Sequence, residues 1–332
     1  MRSDLSRPVP ILLRPAVKDY LWGGTRLNDD FSKHIPSDIV AETWECSTHP
    51  DGVSVASGGD WDGTPLTEIL RAHPEYLGEH MCGRTDLPVL VKLIDAKHDL
   101  SVQVHPSDDF AREHENGQNG KTEMWYVMAA EPDSRITYGL HHAIGRERFL
   151  ASIADGTVEK YLQRVPVRKN DLFFIPPGTI HAIGAGCLIA EIQQSSNLTY
   201  RLYDYNRTDR NGNKRTLHIE KGLAVANLDA MPEPRQPMRL LRYFCGTASE
   251  LLCRCRYFQV ARVLVNTEQR REMAAFRASP ESFEIFLFLN GCGSIFCGDS
   301  AFQFFKGDCV FVPAGTSDIR MHARTEFLRI TC

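Results

Sequence analysis

The sequence predicts a mainly β fold made of two related units, and three observations support this prediction. Short runs rich in β-branched and aromatic residues recur along the 332 residues, separated by turns of Gly, Pro and Asp. Helical patterns are fewer and shorter than these runs. One segment occurs twice, once in each half of the chain, with a proline-rich stretch between the copies. Many short strands with turn signals are typical of β sandwiches and barrels.

Each predicted element follows from a local pattern. Strands are predicted at residues 89–94, 100–104, 124–128, 172–175, 187–192, 258–265, 283–289 and 309–312. Short helices are predicted at residues 66–70, 149–154 and 217–225. The first helix should have Thr64 as its N-cap and Pro65 as its first residue, where proline is favoured. The stretch MPEPRQP (231–237) predicts a stiff linker, which divides the chain into residues 1–235 and 236–332.

The repeated segment carries the same turn chemistry in both halves of the chain. KNDLFFIPPGTIH (169–181) aligns with KGDCVFVPAGTSD (306–318), and in the preceding strands Glu123 corresponds to Glu284. A strand, a tight turn and a Pro-Gly-x-x-His turn resemble the cupin fold, which places that His at the mouth of a small jelly-roll barrel. We therefore predict two cupin-like jelly-roll barrels with a few short helices. The first barrel, with His181, is the predicted metal-binding catalytic domain, and the second, with Asp318 at that position, is degenerate.

Composition narrows the classes of function. The net charge is −4, so the strongly basic surface typical of nucleic-acid binding is not predicted. No apolar run reaches the ~20 residues that span a bilayer, and the first ten residues lack the apolar core of a signal peptide. We expect a cytoplasmic protein with its ten cysteines reduced and with neither a nucleic-acid nor a membrane partner.

Candidate metal ligands lie on and near the predicted strand LSVQVHP (100–106). Alternation on a strand places Ser101, Gln103 and His105 on one face, and buried polar groups on that face require partners. His105, Glu123 and His181 supply two imidazoles and a carboxylate, a set that suits zinc with one open position, and Gln103 can add a neutral oxygen.

Many blocks of the sequence closely resemble the type I mannose-6-phosphate isomerases in their shorter bacterial form. The resemblance runs from about residue 11 to 226 and is loose after residue 238. The blocks are DYLWGGTRL (19–27), ETWECSTHPDG (42–52), LVKLIDAK (90–97), LSVQVHP (100–106), GKTEMWYV (120–127), IPPGTIHAIG (175–184), AEIQQSSNLTYRLYDYNR (190–207) and LHIEKGL (217–223).

The resemblance implies an aldose–ketose isomerase that interconverts mannose 6-phosphate and fructose 6-phosphate by proton transfer through an enediol. It also implies one zinc ion per chain, held by Gln103, His105, Glu123 and His181. The expected partner is thus a small-molecule sugar phosphate. Such chemistry moves a proton rather than electrons, so a redox-inert metal suffices.

Catalytic and substrate-binding residues are predicted around these ligands. Lys121 lies two residues before Glu123 on the same strand face, and in the family this lysine lines the sugar-phosphate pocket. Arg201 is the residue that the resemblance assigns to catalysis, and its fork can also hold phosphate or enediolate oxygens. Ser101 is expected to donate to the phosphate, as the equivalent serine does in relatives.

The identity of the general base is left open between two carboxylates, Glu191 and Asp204. Asn197 stands where relatives commonly carry Asp, and an amide cannot act as a base. Its effect on activity is therefore also open. The oligomeric state is also left open between a monomer and a homodimer.

Two other functions compete with the isomerase. One is a different metal-dependent cupin enzyme, such as an iron oxygenase, which metal identity and oxygen dependence would distinguish. The other is a non-catalytic cupin that binds sugar phosphates. The intact set of His105, Glu123, His181, Lys121 and Arg201 argues against the second alternative.

Overall fold

The computed structural model describes residues 8–31, 33, 35–208 and 212–332. The prediction of a mainly β fold with a few short helices is confirmed. The strands are β1 (Ile11–Arg14), β2 (Ala16–Lys18), β3 (Glu42–Cys46), β4 (Val55–Ala56), β5 (Val89–Asp95), β6 (Val102–Val104), β7 (Glu123–Ala130), β8 (Arg135–Leu140), β9 (Leu162–Pro166), β10 (Leu172–Ile175), β11 (His181–Ile183), β12 (Cys187–Gln194), β13 (Tyr200–Tyr203), β14 (Arg242–Phe244), β15 (Thr247–Arg254), β16 (Gln259–Asn266), β17 (Ala274–Phe276), β18 (Glu284–Cys297), β19 (Ser300–Phe305), β20 (Cys309–Val312) and β21 (Ile319–Thr331).

The helices are short and lie between strands. They are α1 (Arg26–Asp29), α2 (Leu66–Ala72), α3 (Asp108–His114), α4 (Arg146–Ala154) and α5 (Ile219–Val225), with 3-10 turns at Gly59–Trp61, Pro74–Leu77, Glu79–Met81 and Val158–Lys160. Helix α2 begins at Leu66, as predicted, but Pro65 is its N-cap and not its first helical residue, so Thr64 lies outside the cap. Pro65 is extended because it bridges to Val55, while the amide of Leu66 donates to the carbonyl of Ser54. In the described ranges, no helix is long and apolar enough to cross a membrane.

Two sheets form the first barrel. A six-stranded sheet has the order β10-β7-β12-β5-β3-β2, and a five-stranded sheet has the order β13-β6-β11-β8-β9. One apolar core takes residues from both sheets, including Ile94, Trp125 and Ile189 from the first and Ile136 and Ile183 from the second. The two sheets therefore pack face to face and enclose the polar side chains that point inward.

A ten-stranded sheet forms the second barrel. Its path is β14-β15-β16-β21-β18-β20-β1-β4, with β17 paired to β21 and β19 paired to β18. Strands β1 and β4 come from the start of the chain, and β1 pairs with β20. The N-terminal residues therefore complete a sheet that is otherwise built from the C-terminal residues.

Period-two alternation along the strands explains how the two barrels meet. On β5, Val91 and Leu93 join a core that also contains Ile285 and Leu328 of the second barrel. Lys92 and Ile94, which alternate with them, point into the first barrel. Strand β5 is consequently buried on both faces of its sheet, with an apolar interface to the second barrel on one side and the lumen of the first barrel on the other.

The predicted internal repeat is confirmed by strand register. Strand β10 pairs with β7 so that Ile175 lies opposite Glu123, and β20 pairs with β18 so that Val312 lies opposite Glu284. The turns before β10 and β20 both contain a residue with positive φ, at Asn170 and Gly307. The same hairpin register and turn therefore occur in both barrels, with different side chains.

Candidate functional site

Three buried side chains meet where the two sheets of the first barrel come together. His105 follows β6, Glu123 opens β7 and His181 opens β11. The Nε2 atoms of the two imidazoles are 3.1 Å apart, and Glu123 Oε1 lies 3.2 Å from His105 Nε2. Glu123 Oε2 lies 3.7 Å from His181 Nε2. Within the described ranges this is the one cluster of three His, Cys, Asp or Glu side chains whose ligand atoms all lie within 4.8 Å of one another.

Hydrogen bonding and burial keep both imidazoles neutral and aimed at each other. His181 Nδ1 lies 2.8 Å from the carbonyl of Thr179, which assigns the proton to Nδ1 and leaves the Nε2 lone pair facing the cluster. Burial lowers the pKa of His181, and burial together with Lys121 lowers the pKa of His105 to about 3. Among the described residues, Nδ1 of the buried His105 has no hydrogen-bond partner.

This donor set fits a divalent cation. Two neutral imidazole nitrogens and a carboxylate are zinc-type ligands, and bond lengths near 2.0–2.1 Å place ligand atoms about 3.3 Å apart in a tetrahedral site. The observed separations of 3.1, 3.2 and 3.7 Å are close to that value. Because His181 carries its proton on Nδ1, its Nε2 lone pair points into a buried space in which a cation would satisfy it.

Two further predicted residues, Lys121 and Gln103, contact the triad. Lys121 Nζ forms a 2.7 Å ion pair with Glu123 Oε1. Although burial opposes ionisation of Glu123, the charge of Lys121 holds its pKa well below the usual value. Gln103 lies beside His181, but its amide nitrogen is the nearer group, at 3.4 Å from Nε2. Ligation through its oxygen requires the amide to turn over, a change that hardly alters its shape.

A second buried ionic cluster adjoins the first, and sequence reasoning did not predict it. Lys92 Nζ lies 3.1 Å from Glu191 Oε1 and 3.7 Å from Glu42 Oε2. Trp125 Nε1 joins the two clusters because it donates to both Glu123 Oε2 and Glu191 Oε2, at 3.1 and 3.0 Å. Burial, followed by the charge of Glu123, raises the pKa of Glu191, while Lys92 opposes that rise. The available signal was a lone lysine in the apolar strand VLVKLID.

These groups border a cavity of about 500 Å³, a volume that suits a small-molecule ligand. Predicted residues on its wall are Ser101, Gln103, Lys121, Glu191 and Arg201. The triad itself is not on this wall but contacts Gln103 and Lys121, which are. Other wall residues are Arg215 and four that sequence reasoning missed, Glu42, Lys92, His218 and Lys221.

Arg201 is fixed by neighbours on the cavity wall. Its Nε donates to Ser101 Oγ at 3.2 Å, and its Nη1 donates to the carbonyl of Thr216 at 2.8 Å. The structure therefore brings two of the predicted substrate-binding residues into contact. Asn197 also lies on the wall, where its Nδ2 donates to Asp51 Oδ2 at 2.8 Å.

Asp204 is not brought to this wall. Its buried carboxylate accepts hydrogen bonds from Arg215 and Arg207, at 2.5 to 2.8 Å. Burial opposes its ionisation, but these two arginines lower its pKa overall. A strongly paired carboxylate with a lowered pKa is a poor proton acceptor, so these contacts do not favour the predicted base role.

Comparison with known proteins yields one consistent result. Residues 11–133 match the family model of the phosphomannose isomerase type I catalytic domain. The chain is 36% identical to mannose-6-phosphate isomerase ManA of Bacillus subtilis over 96% of this chain and 97% of that protein. It is 37% identical to the mannose-6-phosphate isomerase of Streptococcus mutans over 92% of each chain. The crystal structure of the Bacillus subtilis mannose 6-phosphate isomerase matches with a TM-score of 0.87 and 34% identity, over 97% of this chain and 99% of that one.

Proposed function

Because the chain belongs to the type I phosphomannose isomerase family, we propose that it interconverts mannose 6-phosphate and fructose 6-phosphate through an enediol, with one zinc ion held by its buried triad. The observation that carries the zinc assignment is the convergence of two neutral imidazole nitrogens, 3.1 Å apart, with a buried carboxylate. His105, Glu123 and His181 would hold the ion, and Gln103 would complete the set after its amide turns over. Zinc bound there would polarise substrate oxygens without redox chemistry.

Glu191 is the carboxylate best placed to move the proton between the two carbons. It lies on the cavity wall, and its raised pKa brings it closer to the range in which a carboxylate is an effective base. Lys92 and Trp125 fix one oxygen each, so the carboxylate is oriented before substrate arrives. We assign the base role to Glu191 in preference to Asp204.

Cationic groups on the wall stabilise the negative charge of substrate and intermediate. Lys121 is buried beside Glu123 and faces the cavity, where its ammonium can hold an oxygen that becomes negative in the enediolate. Arg201 and Ser101, already in contact with each other, bind the phosphate. Charge-assisted hydrogen bonds of this kind are stronger than neutral ones.

The two barrels have different roles in this proposal. Residues 1–235 carry catalysis, and residues 236–332 cover the outer face of the six-stranded sheet. Deletion of residues 238–332 should yield an insoluble or inactive protein, because it exposes that face and leaves β1 without β20. Solubility and turnover of the truncated chain test this, and a soluble, active truncation would contradict it.

A coupled assay of the purified full chain tests the proposed reaction and its metal. Mannose 6-phosphate is supplied with and without a chelator, and zinc is then added back. We expect activity that the chelator removes and zinc restores. A folded, zinc-loaded protein without isomerase activity would refute the proposal, and an oxygen-dependent reaction with iron would instead favour the oxygenase alternative.

A further inference from the structure

Arg215 lines the cavity but has no role in the mechanism described above. It lies in the segment between β13 and α5, and 23% of its side chain is exposed. Its Nε donates to Asp204 Oδ2 at 2.8 Å, and its Nη2 donates to Asp204 Oδ1 at 2.5 Å. A two-point contact of this kind fixes the plane of a guanidinium. Arg215 is therefore held in one orientation at the cavity wall.

Asp204 is the centre of this arrangement. Its side chain is 6% exposed, and it also accepts a 2.6 Å hydrogen bond from Arg207 Nη2. Arg207 in turn donates to the carbonyl of Asp99 and does not line the cavity. Arg207 thus anchors Asp204 on the side away from the cavity wall, while Arg215 stands on the wall itself.

Both wall arginines keep a donor for a ligand. The contacts of Arg215 use Nε and Nη2, and those of Arg201 use Nε and Nη1. Within the described parts of the chain, Nη1 of Arg215 and Nη2 of Arg201 have no hydrogen-bond partner. Two oriented guanidinium groups with unused N–H donors at one cavity match the oxygens of a phosphate.

The charges of this group also match a phosphate monoester. Among the carboxylates that the structure describes, Asp204 is shared by Arg207 and Arg215, and none contacts Arg201, so these three arginines leave two positive charges uncompensated. The neighbouring Lys221 does not add to this surplus, because it forms a 2.7 Å ion pair with Glu115. A phosphate monoester carries a charge of about −1.5 to −2 at neutral pH.

We infer that Arg215, positioned by Asp204, is the second arm of a two-arginine clamp that selects the phosphate dianion of the substrate over neutral hexoses. The inference rests on the proposed function, since it assigns part of the same cavity to the phosphate of the sugar. It gives Asp204 a positioning role. Phosphate lies remote from the carbons that exchange the proton, so the clamp acts on substrate binding more than on the chemical step.

Steady-state kinetics of three variants test the clamp. Arg215→Gln should raise KM for mannose 6-phosphate about tenfold or more with kcat nearly unchanged, because a charged hydrogen bond is lost. Asp204→Asn should raise KM by a smaller factor, since Arg215 remains but is no longer held. Lys214→Gln is the matched control, because it removes the same charge from an exposed neighbour off the cavity wall, and its KM should equal that of the unaltered protein.

The outcomes separate the possible roles. An unchanged KM in Arg215→Gln would overturn the clamp. Loss of kcat with unchanged KM in Asp204→Asn would restore Asp204 as the base and overturn its positioning role. If Arg215→Gln does not fold, Arg215→Lys is used in its place. An increase in KM is again expected, because an ammonium cannot form the two-point hydrogen-bonded contact with Asp204.

A binding measurement keeps failure of the clamp distinct from failure of the function. Calorimetric titration with inorganic phosphate should show binding to the unaltered full chain and to Lys214→Gln, and weaker binding to Arg215→Gln by about tenfold or more. Equal phosphate affinity in all three proteins would overturn the clamp even if isomerase activity is found. Absence of isomerase activity with the expected difference in phosphate affinity would overturn the function and leave the anion site in place.

Discussion

The two barrels share the register of one hairpin, but different side chains contact the buried carboxylate in each barrel. In the first barrel, Glu123 meets two imidazoles and Lys121. In the second, Glu284 occupies the equivalent position and is paired with Arg329, which donates to its Oε2 at 2.8 Å. Arg329 lies opposite Phe286, as Glu191 lies opposite Trp125, so an arginine replaces the proposed base.

The position of the second histidine shows the same divergence. His181 is buried and points at Glu123, whereas Asp318 is exposed, has a positive φ of 57°, and pairs with Arg320. A buried carboxylate must be balanced by a cation. Arg329 satisfies this in the second barrel, whereas in the first barrel Lys121 pairs with Glu123 and two imidazoles add nitrogen ligands with which a metal ion can also bind the carboxylate. The hairpin is therefore a scaffold whose chemistry depends on two or three side chains.

The largest contrast is expected from equivalent alanine substitutions in the two copies. His181→Ala should lower kcat about a thousandfold and abolish tight zinc binding, because a ligand worth several kcal/mol is lost. Asp318→Ala should leave both nearly unchanged, since that side chain is exposed. Turnover and metal content of the two purified variants check this. A similar loss of turnover and metal content in both variants would show that the two copies are functionally equivalent, and would contradict the contrast drawn between the barrels.

A smaller effect is expected on the stability of the second barrel. Arg329→Met leaves Glu284 buried without its cation and should lower the free energy of unfolding by about 2 kcal/mol. The loss stays below that of a fully enclosed pair because 34% of the Arg329 side chain is exposed. The double variant Arg329→Met/Glu284→Gln should recover part of it. Urea unfolding measures these changes, and an unaltered midpoint in the single variant would contradict the compensation.

The smallest expected effect concerns the pH dependence of the first barrel. Lys92 favours the ionised form of Glu191, so Lys92→Met should raise the pKa of that carboxyl further. A base must be ionised, and the acid limb of kcat/KM should therefore move to higher pH, by about one unit or more. Lys97→Met, which alters an exposed lysine just after the same strand, should not move the limb. An unshifted limb in Lys92→Met would argue against Glu191 as the base.

Local sequence patterns predicted the scaffold and the triad well. The repeated segment has the same turn residues at the same offsets in both halves of the chain, which is visible in the sequence itself. Alternation along a strand places Gln103 and His105 on one face, and this also needs no tertiary structure. The partners of Lys92 and Arg215 could not be predicted from the sequence. Lys92 lies in an otherwise apolar strand, and its partners Glu42 and Glu191 come from the two neighbouring strands of the sheet. Arg215 depends on Asp204, and only the folded chain shows that pairing.

The most direct test of the central claim is a zinc titration of metal-free full-length protein, followed in parallel by turnover of mannose 6-phosphate. The account predicts activity that rises in proportion to bound zinc and saturates at one ion per chain, with neither binding nor activity in His181→Ala. Full activity at negligible zinc content, or equally tight stoichiometric binding by His181→Ala, would contradict it.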